Sequence, residues 1–199
     1  MKEFRHPYFQ YIEQTIEMEL PICYDALMIQ KGGSLLLIVA QNLSQLDFRQ
    51  LMDVYEEGNR ENSKEFFPDV DENLQMLLAE QEFHQYLREC FFKTTGARYY
   101  IWEENRKYVS ALRLEPYQDG LLLEALETAP HCRKMGYATN LIRAVLLLTG
   151  KQKIYSHVSK RNKASLKTHE KCGFQRILEH AIYADGSVLS TSCTMCYEG

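Results

Sequence analysis

The sequence predicts an α+β fold built around one core. Three observations support this prediction. Two amphipathic helical patterns, over residues 42–57 and 72–92, precede an antiparallel run of strands, and two strand–helix pairs and a hairpin complete the order. The 199 residues contain no low-complexity linker and no internal repeat, and this length suffices for one sizeable core.

Hydrophobic periodicity locates the elements of the first half of the chain. In chain order they are a helix over residues 9–20, strands over 26–30 and 34–41, helices over 42–57 and 72–92, and strands over 99–103 and 108–114. Pro21 ends the first helix, Lys31-Gly32-Gly33 forms a hairpin turn, and Ser44 is a candidate N-cap of the second helix. The polar stretch 58–71 is predicted to be the loop between the next two helices.

The second half alternates strands and helices before a closing hairpin. Its elements are a strand over residues 121–128, a helix over 136–148, a strand over 153–158, a helix over 162–172, and strands over 174–183 and 187–197. Gly120 and Pro130 bound a short apolar run, and the strand over 121–128 is therefore predicted to be buried. Asp185-Gly186 is the strongest hairpin signal in the chain.

A basic turn lies between the strand over 121–128 and the following helix, and it contains Gly136. The free N–H groups of the first helical turn and the positive end of the helix dipole meet there, which predicts an anion site. Gly136 would let the backbone approach a phosphate closely. The Walker pattern fails around Gly150 because Val145 and Gln152 stand at required positions, and the dinucleotide pattern fails because further glycines are missing.

The turn, Arg133-Lys134-Met135-Gly136-Tyr137-Ala138, resembles the Q/R-x-x-G-x-G/A signature of the GNAT superfamily of acyl-CoA-dependent N-acetyltransferases. A second segment, Asn162 to Phe174, resembles the N-x-x-A/S-x-x-x-Y-x-x-x-G-F helix of that family, with His169 in the tyrosine position. The order and spacing of the two motifs agree. The resemblance implies a mixed, mostly antiparallel central sheet flanked by helices over residues 35–199. Residues 1–34 fall outside the resemblance and are predicted to be a helix and hairpin extension packed on the core.

The resemblance also implies a function, namely transfer of an acetyl group from acetyl-CoA, a co-substrate, to a primary amine by direct attack. In such proteins the pantetheine arm lies between two strands that splay apart, here those over 121–128 and 153–158. The residues expected to bind the coenzyme are Thr128, Arg133, Lys134, Met135, Gly136, Tyr137, Ala138, Arg161, Asn162 and Ser165. A non-catalytic acyl-CoA-binding or sensing module on the same fold is the alternative.

Three residues are candidates for proton transfer. An alkylamine has a pKa of about 10, so a carboxylate is needed to remove its proton. Glu124 and Glu127 lie on the central strand, where alternation predicts that they face opposite sides. Glu124 is the preferred base because the family commonly has an acidic residue on that face, and Glu127 is the reserve. His169 is the candidate donor to the departing thiolate, with a neighbouring tyrosine or water as alternatives.

The acceptor region is predicted from charge. Residues 56–72 are rich in Asp and Glu and lie beside Tyr55, Phe66 and Phe67. In proteins of this family the region often borders the acceptor site, and an acidic, aromatic-lined mouth would favour a cationic amine. A solvated acidic loop is the alternative interpretation. The acceptor is therefore expected to be a small-molecule or peptide amine.

Composition excludes several other classes of function. The 23 basic and 27 acidic residues give a net charge of −4, which argues against nucleic-acid binding. The longest aliphatic run, 35–40, is too short to span a bilayer, so no membrane partner and a cytoplasmic location are expected. The six scattered cysteines suit reduced thiols, and the Cys193-Thr194-Met195-Cys196 pattern lacks a second pair, so no metal is expected. A homodimer is left open.

Overall fold

The structure is a computed structural model, and it describes residues 26–30 and 33–199. The helix predicted over residues 9–20 and the central part of the predicted turn at 31–32 lie outside the described residues. In chain order the strands and helices are β1 (Ala26–Gln30), β2 (Gly33–Ala40), α1 (Phe48–Phe66), α2 (Glu72–Glu89), β3 (Arg98–Glu104), β4 (Lys107–Tyr117), β5 (Gly120–Thr128), α3 (Tyr137–Thr149), β6 (Ile154–Ser159), α4 (Lys163–Lys171), β7 (Gln175–Leu178), β8 (Ala181–Ile182), β9 (Val188–Leu189) and β10 (Ser192–Tyr197).

Eight strands form one sheet in the order β1-β2-β3-β4-β5-β6-β10-β7, while β8 and β9 form a small separate hairpin. Every neighbouring pair in the large sheet is antiparallel except β5 and β6, which are parallel and joined by a crossover through α3. The prediction of an α+β fold with a mixed, mostly antiparallel sheet flanked by helices is confirmed.

Helices cover both faces of the sheet. Helices α1 and α2 pack on each other and α1 packs on β4 and β5, while α3 packs on α4 and on β3, β4 and β5. Strand β4 is buried without interruption from Tyr108 to Glu115, so both of its faces are covered. The two helix pairs therefore lie on opposite faces, and β4 and β5 run through the centre of the core. None of the helices in residues 26–30 and 33–199 is long and apolar enough to cross a membrane.

Helix α1 differs most from its prediction. It begins at Phe48 and is capped by Asp47, whose side chain accepts from the Gln50 N–H at 3.1 Å, so the expected cap at Ser44 is wrong. It continues to Phe66, so the first part of the predicted loop over 58–71 is helical. Polar residues suit this segment because most of them lie on an exposed face, while Ser63 is fully buried among them.

The final hairpin is interrupted. Strand β10 lies between β6 and β7, and the strands predicted over 174–183 and 187–197 each break into a long and a short piece. The turn at Asp185-Gly186 forms as expected, with the Tyr183 N–H donating to the Ser187 carbonyl at 2.9 Å. Cys193 packs in the main core and Cys196 in a separate small cluster, so their thiols point to opposite faces of β10.

Candidate active site

A gap opens in the middle of the sheet where β5 and β6 part. The two strands pair only from Leu121 to Leu123 on β5. Beyond this point β5 still pairs with β4 through Thr128, and β6 still pairs with β10 through Ser159. Both strands therefore continue, but they no longer pair with each other over residues 124–128 and 157–159. This is the split predicted to receive the pantetheine arm.

The basic turn at one mouth of this gap is open. Gly136 caps α3 with a φ of 88°, in the left-handed region, and nothing lies within 4 Å of the position that a Cβ would occupy. In the part of the chain that the structure describes, the N–H groups of residues 134–138 donate to no protein acceptor. Met135 is 62% exposed. The amides at the positive end of the α3 dipole can therefore receive an anion without breaking an existing bond.

Two side chains of the turn point away from it. The Tyr137 side chain is buried and its hydroxyl donates to Glu104 Oε2 at 2.6 Å, a bond that raises the pKa of Tyr137 to about 12. The Arg133 guanidinium pairs with Glu57, lies 3.9 Å from Glu127, and donates to the Thr128 carbonyl. Among the predicted coenzyme residues, Tyr137 can therefore contribute only its main chain, and the charge of Arg133 is directed to carboxylates rather than to the turn.

The second motif is a capped helix start. The Asn162 Oδ1 atom accepts from the Ser165 N–H at 2.9 Å, so its side chain serves as the N-cap of α4. Arg161 is exposed beside it, and the Thr128 hydroxyl on β5 lies 3.1 Å from the Ser110 hydroxyl. The Asn162 side-chain oxygen and the Thr128 hydroxyl therefore already have protein partners. Arg161 and Lys134 are exposed cations of the predicted coenzyme set, and Arg133, also exposed, is paired with Glu57.

His169 does not suit the predicted role of proton donor. It is only 1% exposed, and its Nδ1 atom lies 2.9 Å from the Ser165 carbonyl. A carbonyl oxygen only accepts, so Nδ1 carries the hydrogen. Burial lowers the pKa of His169, which leaves the ring neutral at neutral pH and Nε2 as a bare lone pair. In this tautomer Nε2 can accept a proton but cannot donate one to a thiolate.

A β-bulge corrects the expected orientation of the two carboxylates. On β4, Arg113 lies opposite Glu124 and Ala111 lies opposite Glu127. The two carboxylates are three positions apart on β5 while their partners are two apart on β4, so β5 contains one extra residue. The irregularity includes Ala125, which has a φ of 50°. Because the extra residue reverses the alternation, Glu124 and Glu127 face the same side of the sheet, and the prediction that they face opposite sides is wrong.

Glu124 neutralises a buried cation. Its Oε2 atom lies 3.0 Å from Arg113 Nη2 and 3.3 Å from Arg113 Nε. The Arg113 side chain is 2% exposed, and its guanidinium carbon lies 4.9 Å from the centre of the Tyr86 ring. The Glu124 carboxylate compensates the Arg113 charge, which would otherwise be buried without a counter-charge. Arg113 was missed in the sequence, although a lone cation within an apolar strand is a signal for such a partner.

Glu127 instead faces a cleft between α1 and α2, with a volume of about 140 Å³. Burial raises the pKa of the Glu127 carboxyl, Arg133 opposes this effect, and the charges of Glu57 and Glu61 add to it. The residues that line the cleft are Tyr55, Gly58, Asn59, Asn62, Phe66, Ala79, Glu82, Phe83, Tyr86, Ala125 and Glu127. A Cβ at Gly58 would lie 3.6 Å from Glu127 Oε1, so this glycine leaves room beside the carboxylate.

These features combine an anion-binding turn, a slot in the sheet and a carboxylate with a raised pKa on the face where the cleft opens. Such a pKa suits a general base. No cluster of three or more His, Cys, Asp or Glu side chains that could hold a metal ion occurs within residues 26–30 and 33–199. The arrangement can therefore bind a phosphorylated carrier on one side of the sheet gap and remove a proton on the other.

Comparisons with known proteins find the same fold in solved structures and a family model that matches the sequence. Among solved structures, the fold is similar to an acetyltransferase from Streptococcus agalactiae 2603, at 18% identity and a TM-score of 0.56 over 83% of this chain and 98% of that one. It is similar to the PaiA N-acetyltransferase from Thermoplasma acidophilum in complex with coenzyme A, at 12% identity and a TM-score of 0.54 over 82% of this chain and 99% of that one.

A further similar structure is a variant of the spermidine N-acetyltransferase SpeG from Vibrio cholerae, at 17% identity and a TM-score of 0.50 over 81% of this chain and 92% of that one. A search of curated proteins finds no match. The sequence model of the acetyltransferase (GNAT) family matches residues 53–174, a segment that includes the cleft, the gap and both motifs. Because this match covers more than half of the chain, the protein belongs to the GNAT acetyltransferase family and is an acyltransferase.

Proposed function

We propose that the protein transfers an acetyl group from acetyl-CoA to the amino group of a small cationic amine by direct attack, with Glu127 as the general base. The observation that carries the proposal is the position of Glu127, half-buried in the cleft with a raised pKa, beside the β5 edge of the sheet gap. Glu124 was the preferred base from sequence, and its ion pair with Arg113 makes it the weaker candidate.

The coenzyme fits the residues present. The open space at Gly136 and the unpartnered amides of residues 134–138 can hold its diphosphate, and the exposed cations Lys134 and Arg161 lie beside the motif helices. The gap between β5 and β6 offers main-chain groups to its pantetheine amides. Acetyl-CoA supplies the activated acetyl thioester and leaves as the thiol.

Glu127 accepts a proton from the ammonium form of the acceptor, whose pKa is about 10, so that a neutral amine can attack. The amine gives up one further proton as the amide forms, and the thiolate takes up one as it leaves. The neutral tautomer of His169 cannot supply that proton, so solvent or the amine itself is the source. Burial raises the pKa of the Cys132 thiol, which keeps it protonated and favours direct attack over an acyl-cysteine route.

The charge and walls of the cleft support a cationic acceptor. Glu82 and Glu127 line it, and the basic residues Lys and Arg are missing from its described lining. The rings of Phe66, Phe83 and Tyr86 form much of the wall and can face an alkylammonium group. The spermidine N-acetyltransferase of similar fold acts on such a polyamine, as its name states. An acceptor with a second positive charge is therefore preferred in this proposal.

The proposal includes a cytoplasmic location, an amine acceptor and no nucleic-acid or membrane partner, and it leaves a homodimer open. The described cysteines Cys90, Cys132, Cys172, Cys193 and Cys196 are free thiols. Free thiols support a reducing compartment.

The test is an amine panel assayed by thiol release from acetyl-CoA. A matched pair, 1,4-diaminobutane and 4-amino-1-butanol, differs in one terminal charge while the chain length is equal. We expect turnover with the diamine and a kcat/KM about 10-fold lower with the amino alcohol, because one charge-assisted contact contributes about 1.4 kcal/mol. Absence of thiol release with every amine would overturn the proposed function, and equal kcat/KM for the pair would overturn the cationic preference.

A further inference from the structure

The bulge that turns Glu127 into the cleft lies directly beneath a tyrosine of α1. The Tyr55 hydroxyl lies 2.5 Å from the carbonyl oxygen of Ala125, the residue of positive φ in the bulge. The contact joins residues 70 positions apart in the chain. This hydrogen bond therefore links α1, one of the two helices that form the cleft, to the bulge in β5.

The direction of this contact is determined by chemistry. A carbonyl only accepts, so Tyr55 donates its single hydroxyl hydrogen to Ala125, and the Tyr99 hydroxyl, 2.8 Å away, donates to Tyr55. Burial raises the pKa of Tyr55 well above its ordinary value, so this hydrogen is retained at neutral pH. With its hydrogen committed to Ala125, Tyr55 has none for a substrate, and its effect on the reaction must be indirect.

The bulge needs such support for two reasons. Ala125 adopts a left-handed conformation that L-residues other than glycine rarely occupy, and the structure holds it only where surrounding contacts determine it. The bulge also decides chemistry, because a strand without the extra residue would turn Glu127 to the other face of the sheet. The residue that holds the bulge therefore controls whether a carboxylate faces the cleft.

We propose that Tyr55 is a positioning residue: through its hydrogen bond to the Ala125 carbonyl it holds the β5 bulge in the conformation that directs Glu127 into the cleft. This inference rests on the proposed function in that Glu127 is the base. It extends that function by making the geometry of the base depend on a helix contact. Tyr55 lines the cleft, and its hydroxyl acts on the reaction through the bulge and the Glu127 carboxylate rather than by proton transfer.

The test compares Tyr55→Phe with a matched variant, Tyr108→Phe. Both tyrosines are buried, at 6% and 7% exposure, and the hydroxyl of each joins α1 or its cap to the sheet. The Tyr55 hydroxyl forms two such bonds, because it donates to Ala125 and accepts from Tyr99. The Tyr108 hydroxyl accepts from the Asp47 N–H at 3.1 Å, at the opposite end of the contact between α1 and the sheet. Tyr108→Phe therefore loses one hydrogen bond and Tyr55→Phe loses two, and only Tyr55→Phe frees the Ala125 carbonyl and with it the bulge.

Two readouts are measured on the whole protein. For Tyr55→Phe we expect a kcat about 10- to 100-fold lower, with the KM for acetyl-CoA unchanged, because the base is misplaced and the coenzyme turn is not. We also expect the ¹³C-detected titration of the Glu127 carboxyl, assigned with Glu127→Gln, to move to lower pH as the side chain leaves the cleft. Tyr108→Phe should match the wild type in both measurements.

The results separate this inference from the proposed function. A Tyr55→Phe protein whose kcat and Glu127 titration both match Tyr108→Phe would overturn the positioning role. If the wild type acetylates no amine, the proposed function fails. The titration still decides the inference in that case: a shift confined to Tyr55→Phe supports it, and an unshifted titration overturns it.

Discussion

The two sides of the sheet gap differ in what they are made of. The side proposed to bind the coenzyme, here called the coenzyme side, is a stretch of main chain whose N–H groups from residue 134 to residue 138 donate to no acceptor in the described part of the chain. The side proposed to bind the amine, here called the acceptor side, is a set of side chains held by partners far away in the sequence. Tyr55 binds the Ala125 carbonyl across 70 positions, and Arg133 pairs with Glu57 across 76.

This difference predicts how each side responds to mutation. Main-chain donors remain when a side chain changes, so the coenzyme side is sensitive mainly to backbone conformation and to steric obstruction. Proton transfer requires one carboxylate within hydrogen-bond reach and with a matched pKa, so the acceptor side is sensitive to single atoms. The predictions below test this contrast.

The largest effect is expected for Glu127→Gln. An amide cannot accept the proton of the ammonium group, so kcat should fall by about 10² to 10⁴-fold in the thiol-release assay. Thermal stability should be retained or increase, because burial disfavours the ionised form of Glu127 that the substitution removes.

Glu124→Gln is the matched control for this substitution. It removes the carboxylate that pairs with the buried Arg113, so it should lower the free energy of unfolding by about 2 kcal/mol, less than for a fully buried pair because Glu124 is 21% exposed. A catalytic loss larger in Glu124→Gln than in Glu127→Gln would identify Glu124 as the base instead.

A smaller effect is expected at the coenzyme turn. Gly136→Ala should raise the KM for acetyl-CoA by about 10-fold and leave kcat nearly unchanged, because the methyl group lies where the diphosphate approaches. Gly150→Ala is the control at the other end of α3, with a φ of 64° and equally open surroundings. Gly136→Ala carries backbone strain of about 1–2 kcal/mol, and Gly150→Ala carries at least as much because its ψ of −128° lies outside the left-handed helical region. An equal KM in the two variants would contradict coenzyme binding at this turn.

The pH dependence of the reaction is expected to report on Arg133. Glu127 must lose its proton to act as a base, so kcat/KM should rise with pH through the raised pKa of its carboxyl. The Arg133 charge lowers that pKa, so Arg133→Gln should move the acid limb of the profile to higher pH. The unfolding temperature should barely change, because Arg133 and Glu57 are both largely exposed.

Lys134→Gln is the control from the adjacent position. It should leave the acid limb in place and raise the KM for acetyl-CoA about 2- to 3-fold at low salt, an effect that salt screens. An acid limb that is identical in Arg133→Gln and in the wild type would contradict the electrostatic contact between Arg133 and Glu127.

The raised pKa of Glu127 also makes the stability of the protein depend on pH. Because the folded pKa of Glu127 is raised, its protonation stabilises the fold, and this contribution should disappear as pH rises from about 4.5 through the folded pKa.

The smallest effect is expected for Cys132→Ser. Direct attack needs no enzyme thiol, so kcat should stay within about 2-fold of the wild type. Mass spectrometry of the wild-type protein mixed with acetyl-CoA should find no acetylated enzyme. A Cys132→Ser protein that folds but has lost turnover would contradict direct attack.

The coenzyme side could be predicted from the sequence because its geometry depends on short-range contacts. A strand boundary at Pro130, a glycine at the helix start and the apolar repeat of α3 all act within a few residues of one another. The helix predicted over 136–148 is observed at Tyr137–Thr149. The same holds for the strand over 121–128, which begins at Gly120.

The acceptor side was predicted only in its composition. An acidic and aromatic region near residues 56–72 was expected, and α1 residues of that region line the cleft. The extension of α1 to Phe66 was missed because polar residues are equally compatible with a loop and with the exposed face of a helix. Burial of His169 was missed as well, since a polar residue on a short helix has no sequence signal for its surroundings.

The sequence by itself determined the order of strands and helices, the open turn at residues 133–138 and the position of the second motif, because local backbone preferences and hydrophobic periodicity specify them. The tertiary structure alone decided which way Glu127 faces, which cation pairs with Glu124 and what holds the bulge between them. The reason is that one extra residue in a strand reverses every side chain beyond it, and only the pairing with β4 and the contact with α1 determine where that residue lies.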